Sequence, residues 1–258
     1  MMKIDEITAM LDQGLDNLLN GGDWQKYLDT MANFHNYSFR NVILIVMQCP
    51  TASRVAGFQT WKKLGRYVKK GETAISIIAP CPHKRKIQDG DEEKEITWNS
   101  YRAVPVFDIS QTDGEDLPQI CKDLTSDVAG YDNILDKLIT FSNVPVEFKD
   151  LAGSEKGYFS KKENKIVVRN GMAQAQNIKT LVHEISHSIL HADGKTSDNV
   201  QEVEAESIAF VVCRYLGIDT GDYSFGYVAG WSGGDKDLVK GSMDKIQKTA
   251  HQIINIFE

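Results

Sequence analysis

His183-Glu184-Ile185-Ser186-His187 reads H-E-x-x-H, and the rest of the chain can be placed outward from it. On a helix, positions i and i+4 share one face, so both imidazoles can reach one ion. Glu184 follows the first histidine directly, so its carboxylate can lie beside a water on that ion instead of on the ion itself. Zinc lowers the pKa of such a water to about 7, and a glutamate so placed takes its proton as the water attacks a carbonyl. Leu181, Val182, Ile185, Ile189 and Leu190 make the other faces apolar, as a buried helix requires. A catalytic zinc commonly takes two histidines, a glutamate and a water, so a third protein ligand should follow.

Downstream, Asp193-Gly194 ends a helix expected over 177–191, with Asn177 as its cap candidate. Asp198 with Gln201 three residues on resembles a capping box opening a helix over 198–216. Glu202, Glu204 and Glu206 fall in its first turns. Glu202 and Glu206 share a face, whereas Glu204 points away and is expected in solvent. One of the sharing pair is the third ligand. Glu202 is preferred, because the helix start lies nearer the metal helix after so short a turn. Glu206 would then hydrogen-bond a ligand histidine and fix its tautomer, with the reverse order left open. His191 lies a further turn from His187, too far to share the ion, and suits a helix cap or a partner of a ligand histidine. Zinc suits two histidines and a glutamate best, and manganese or cobalt also fits them.

The same half predicts a helix over 131–141, a strand near 144–148, and a hairpin of 157–160 with 165–169 turned at Glu163-Asn164. A last helix is expected over 236–257. The order of helix, small sheet and helices implies an α+β domain over 126–258.

The first half, 1–120, has another character. Ile7, Met10, Leu11, Leu15, Leu18 and Leu19 recur at helical spacing, and Asn20-Gly21-Gly22-Asp23 breaks that helix. A second helix runs from Trp24 to about Phe34 and a buried one from Tyr37 to Met47. Ala74–Pro80 and Tyr101–Asp108 read as strands, His83–Lys94 as a charged hairpin loop, and 111–117 as the linker. The net charge of −7 hides an asymmetry: Phe34 to Lys86 holds ten basic residues against Glu72 alone, a net of +9. Such segregation suits a polyanion-binding module. Single-strand binding joins a cationic groove to aromatic faces on which bases stack. Trp61-Lys62-Lys63 supplies such a face beside two cations, and Arg40, Arg66, Lys69 and Lys70 extend the strip. Phe39, Phe58 and Tyr67 are expected in the core. No feature points to base-specific readout.

Four scattered cysteines with no C-x-x-C pair exclude a cysteine zinc site and suit a reducing compartment. Without an apolar leader or a run of about 18 apolar residues, a cytoplasmic protein with no membrane partner is expected.

From His183–His191, Glu202-Val203-Glu204-Ala205-Glu206, Cys213 and Leu216-Gly217-Ile218, the second half resembles the C-terminal zincin-like metallopeptidase domain of ArdC-type antirestriction proteins. Tyr227-Val228-Ala229-Gly230-Trp231, Asp235-Lys236 and the last amphipathic helix continue the likeness, and the wider clan includes ImmA/IrrE-type peptidases. The resemblance aligns the first glutamate of E-x-x-A-[EN] with Glu202. It also matches Tyr227 to a tyrosine that could hydrogen-bond an oxyanion, although Tyr227 and Trp231 would equally form an i, i+4 core pair. In the first half, Phe39–Leu44, Gly57–Gly65 and Val68–Glu72 resemble the single-stranded-DNA-binding domain of the same proteins. The resemblance thus implies antirestriction during plasmid or conjugative transfer, with single-stranded DNA as partner and a protein substrate for the metal site. A regulatory metalloprotease that cleaves a repressor, or a DNA-binding protein with a non-catalytic metal, fits the same residues.

Overall fold

The computed structural model describes residues 2–21, 24–89, 92–115, 128, 130–219 and 232–258, with the backbone alone described at 21, 86–89 and 92–95. The chain forms two compact units, residues 1–15 with 40–117, and 16–39 with 118–258. Grouping 16–39 with the second half is a feature that a linear division near 120 does not foresee.

Of α1 (Ile4–Gly21), residues 4–15 belong to the first unit, in which α3 (Phe39–Gln48) buries Val42, Ile43, Leu44 and Ile45. β1 (Val55–Ala56) and α4 (Phe58–Lys63) lead to β2 (Arg66–Val68), which pairs with β5 (Thr112–Gly114). β3 (Ile75–Asp89) and β4 (Glu92–Asp108) form a long antiparallel ribbon, and β1 joins β4 at its base. Residues 83–89 and 92–94, expected within a loop, are therefore strand and form the outer half of this ribbon, and 111–115, expected as linker, contains β5.

Charge and Gly90 make 83–94 read as a loop, whereas the ribbon's prolines all lie outside it and are accommodated by the pairing. Proline in a strand normally argues against pairing, because it donates no hydrogen bond. Pro105 lies opposite Ser76, Pro80 opposite Tyr101 and Pro82 opposite Asn99. Ser76 and Ile78 direct their main-chain groups away from β4, onto α3. Gln48 binds both the N–H and the C=O of Ser76, and Asn41 both those of Ile78, each at 2.9 Å. Ser76, Ile78, Pro80 and Pro82 fall on alternate positions, so each proline nitrogen faces a place where no ladder bond is due. Two side-chain amides thus cover an edge that would otherwise be open. At the base, buried Asp108 accepts from the N–H groups of Ser53, Arg54 and Ser110 and from the Ser110 hydroxyl. Burial alone would raise its pKa, but these bonds hold it below the ordinary carboxylate value.

In the second unit, α2 (Trp24–Asn33) packs on α7 (Asp198–Tyr215), where the Trp24 indole donates to Ser207 Oγ at 3.1 Å. The sheet runs β6–β8–β7: β6 (Val146–Lys149) is parallel to β8 (Lys165–Arg169), and β7 (Gly157–Ser160) is antiparallel to it. Ile166, Val167 and Val168 are consecutive and fully buried, so β8 is covered on both faces. The β7–β8 turn passes through Asn164 at φ +48°, a conformation asparagine tolerates. α5 (Tyr131–Phe141), α6 (Gln174–Leu190) and α8 (Lys236–Ile254) complete the unit, with α6 against the sheet and α7 between α6 and α8.

The helices start elsewhere than their capping signals suggest. Asn177 lies inside α6, and Ala173 precedes that helix without a side-chain cap. Ser197 is the N-cap of α7, and Gln201 reaches back to the Thr196 carbonyl, so no Asp198–Gln201 box forms. No helix among the described residues is long and apolar enough to cross a membrane.

Candidate functional site

α6 carries His183, Glu184 and His187, and the first turns of α7 carry Glu202 and Glu206. His183 Nε2 and His187 Nε2 lie 3.0 Å apart, and the two Glu202 oxygens lie 3.4 and 3.3 Å from them. Their donor atoms all fall within 4.8 Å of one another, so His183, His187 and Glu202 can close on one ion. Two neutral imidazoles and a carboxylate suit a divalent ion.

Both histidines are held from behind. Glu206 lies 3.2 Å from His183 Nδ1 and is itself bound by Lys179 at 2.7 Å. His187 Nδ1 lies 3.0 Å from His191 Nδ1, and His191 Nε2 lies 2.9 Å from a Glu204 oxygen. An ionised carboxylate only accepts, so His191 must donate from Nε2. In the neutral ring its Nδ1 then accepts, so that His187 donates from Nδ1. That leaves the His187 Nε2 lone pair directed at the ion site. Glu206 does the same for His183 from the other side.

Glu204, expected in solvent, is 0% exposed. It does point away from Glu202, but that direction leads into the core, because α7 is covered on nearly every side. Ser242 donates to Glu204 at 2.6 Å, and Lys245 lies 3.1 Å from the same oxygen. These bonds and His191 hold its pKa below the ordinary value despite burial.

Glu184 is buried beside the histidines. Its pKa is raised by burial, and the charges of His183 and His187 and a hydrogen bond from the Phe159 backbone only partly offset this. Without an ion, burial disfavours charge on His183 as well. The hydrogen bonds of Glu202 and Glu206 and the charge of Glu184 overcome that, and its pKa is pushed up to about 9. Glu202 is held well below the usual carboxylate range by the two histidines, against a smaller effect of burial.

An open pocket beside Glu184 is lined by Ser154, Lys156, Gly157, Gln176, Lys179 and Thr180. Arg169 donates to the carbonyls of Leu151, Gly153 and Glu155, which fixes the loop on the rim. Gly157 is needed where β7 meets α6. A Cβ there would lie 2.8 Å from Thr180 Cγ2, 2.9 Å from the Val167 carbonyl oxygen and 3.6 Å from Glu184 Cγ. Tyr227 and Trp231 lie outside the described residues.

The residues expected at the nucleic-acid surface separate. Arg40, Lys62, Lys63 and Lys70 are exposed. Trp61, expected as a stacking face, is instead 0% exposed and donates to the Phe107 carbonyl at 2.9 Å. On six-residue α4, Lys62 and Lys63 face water while Trp61 turns into the core. Arg66 is engaged with β5, donating to the Thr112 hydroxyl and to the carbonyls of Thr112, Gly114 and Glu115. Lys69 donates to the Ser110 carbonyl. Phe39 is buried, whereas Phe58 and Tyr67, expected in the core, are exposed.

Residues 3–108 match the family model of the N-terminal domain of anti-restriction factor ArdC. An uncharacterized protein of Bacillus anthracis is 27% identical over 281 residues, covering 92% of this chain and 48% of its own length, so the chain spans about half of that curated relative. The metal-free antirestriction ArdC protein from the R388 plasmid is similar in structure, with a TM-score of 0.62 and 20% identity over 98% of each chain. The Mn(II)-bound structure of that protein gives 0.58 and 20% over 97% of each. Residues 3–108 thus match the model of ArdC N-terminal domains, and the chain as a whole shares the fold of the R388 ArdC protein.

Proposed function

We propose that the chain is an ArdC-like antirestriction protein. Its first unit binds single-stranded DNA without sequence preference, and its second holds a divalent ion, zinc or manganese, at His183, His187 and Glu202. The observation that carries this reading is the convergence of those three donors beside a buried Glu184. The net charge of +9 over residues 34–86 and the exposed Arg40, Lys62, Lys63 and Lys70 support the DNA assignment. The Mn(II)-bound ArdC relative supports a divalent ion.

A divalent ion held there supplies Lewis acidity toward a water and a carbonyl oxygen. Glu184, whose pKa is already raised, accepts a proton from the attacking water and returns it to the leaving amine. Glu206 and His191 hold the imidazoles so that their lone pairs need no reorganisation. The open pocket beside Glu184 also favours a second reading, a regulatory metalloprotease that cleaves a protein repressor.

The test is Glu184→Gln, scored for metal content, for oligonucleotide binding across a salt series, and for protection of transferred DNA in cells. The variant should keep its metal and its preference for a single strand over a duplex. Loss of protection assigns the effect to hydrolysis, and retained protection assigns the metal a non-catalytic role. A wild-type protein that binds neither metal nor single-stranded DNA sinks the proposal.

A further inference from the structure

Burial of Trp61 leaves the first unit without the stacking face expected on α4, and the structure offers another. One face of the β3–β4 ribbon buries Ile75, Ile77 and Val106 at the base. Side chains alternate along a strand, so this same face continues outward through Cys81, His83 and Arg85 on β3 and through Arg102, Ser100, Trp98 and Ile96 on β4. Its outer half is uncovered: Trp98 is 49% exposed and Ile96 45%.

His83 lies directly across from Trp98, and the two rings stack with centroids 5.4 Å apart and planes 20° apart. Ser100 Oγ lies 2.7 Å from His83 Nε2 and fixes the imidazole in that plane. Two aromatic rings are thus held parallel in water before anything binds. Arg85 lies one cross-strand pair further out and Arg102 two pairs further in, so a cation stands on either side at about 7 and 13 Å along the strand.

We infer that this face of the ribbon, with Trp98 and His83 at its centre and Arg85 and Arg102 flanking them, is the stacking platform for single-stranded nucleic acid. The inference rests on the DNA-binding reading above and gives it a place. Flat exposed rings take an unstacked base of any identity, and the guanidinium groups reach the phosphates on either side. A duplex keeps its bases stacked on one another and cannot use the platform.

The experiment uses the whole chain and a labelled mixed-sequence oligonucleotide. Trp98→Ala should weaken binding about 5- to 100-fold with the salt dependence unchanged, as expected for one lost stacking contact. Arg102→Gln should reduce the salt slope by about 0.7, as for one lost phosphate contact. Fluorescence gives a second readout. The chain has four tryptophans, of which Trp24 and Trp61 are buried and Trp231 lies outside the described residues, so in a Trp231→Phe background quenching by the oligonucleotide should disappear on adding Trp98→Phe. Circular dichroism and metal affinity should not change, because Trp98 and Arg102 are exposed and neither is part of the metal-ligand set. If the wild type binds but Trp98→Ala and Arg102→Gln bind equally well, the platform lies elsewhere while the DNA-binding reading stands. If the wild type fails to bind at low salt, that reading falls first.

Discussion

Raising the pH should unfold the metal-free protein more readily and leave the metal-loaded protein little changed. His183 has a folded-state pKa of about 9 against an ordinary 6.5, because Glu202 and Glu206 hold its imidazolium. A pKa raised on folding contributes stability that is complete below 6.5 and disappears as the pH climbs through 9. The shift corresponds to about 3 kcal/mol, trimmed toward about 2 because Glu202 is 65% exposed. For a unit of this size, that lowers Tm by roughly 4–10 °C between pH 6.5 and 9.5. An ion at the site displaces the proton and removes the dependence. Calorimetry of chelator-treated and metal-loaded samples across that range measures both curves. Glu202→Gln combined with Glu206→Gln should flatten the metal-free curve. Metal-free stability that stays level or rises from pH 6.5 to 9 refutes the account of how the carboxylates hold His183.

Glu204→Gln removes the charge that sets the direction of the His191–His187 hydrogen bonds, and should weaken metal binding about 10- to 100-fold in calorimetric titrations. Gly157→Ala forces apart β7 and α6 and should cost about 1–3 kcal/mol in urea unfolding; an unchanged midpoint would mean the two elements yield freely. Trp61→Phe should destabilise the first unit by about 1 kcal/mol through loss of its bond to Phe107, yet leave oligonucleotide affinity unaltered, as a core side chain requires.

Much of the site is legible in sequence because its geometry is local. The i, i+4 spacing fixes which side of α6 carries His183 and His187. Glu202 and Glu206 repeat that spacing on α7, and the asparagine turn sets the β7–β8 hairpin. Glu204 is hidden because its environment depends on α8 arriving from forty residues downstream. Ser242 and Lys245 carry no mark of it in their own stretch of chain. Trp61 misleads for a related reason: a tryptophan followed by two lysines reads as a surface strip, and only the fold shows that one turn of helix faces both ways. The ribbon's outer half is obscured by its charges and by Gly90, which resemble a loop in a stretch with little apolar alternation.

The bonds from Asn41 and Gln48 to β3 act as a gauge for the whole ribbon. Slipping β3 by one position would turn the main-chain groups of Ser76 and Ile78 inward, strand both amides, and move Ile75 and Ile77 to the solvent side. The same slip would rotate every side chain further along, exchanging His83 for its neighbours across from Trp98. Which aromatic surface the ribbon presents, some twenty Å from its root, is therefore decided by two amides on α3 that never approach it.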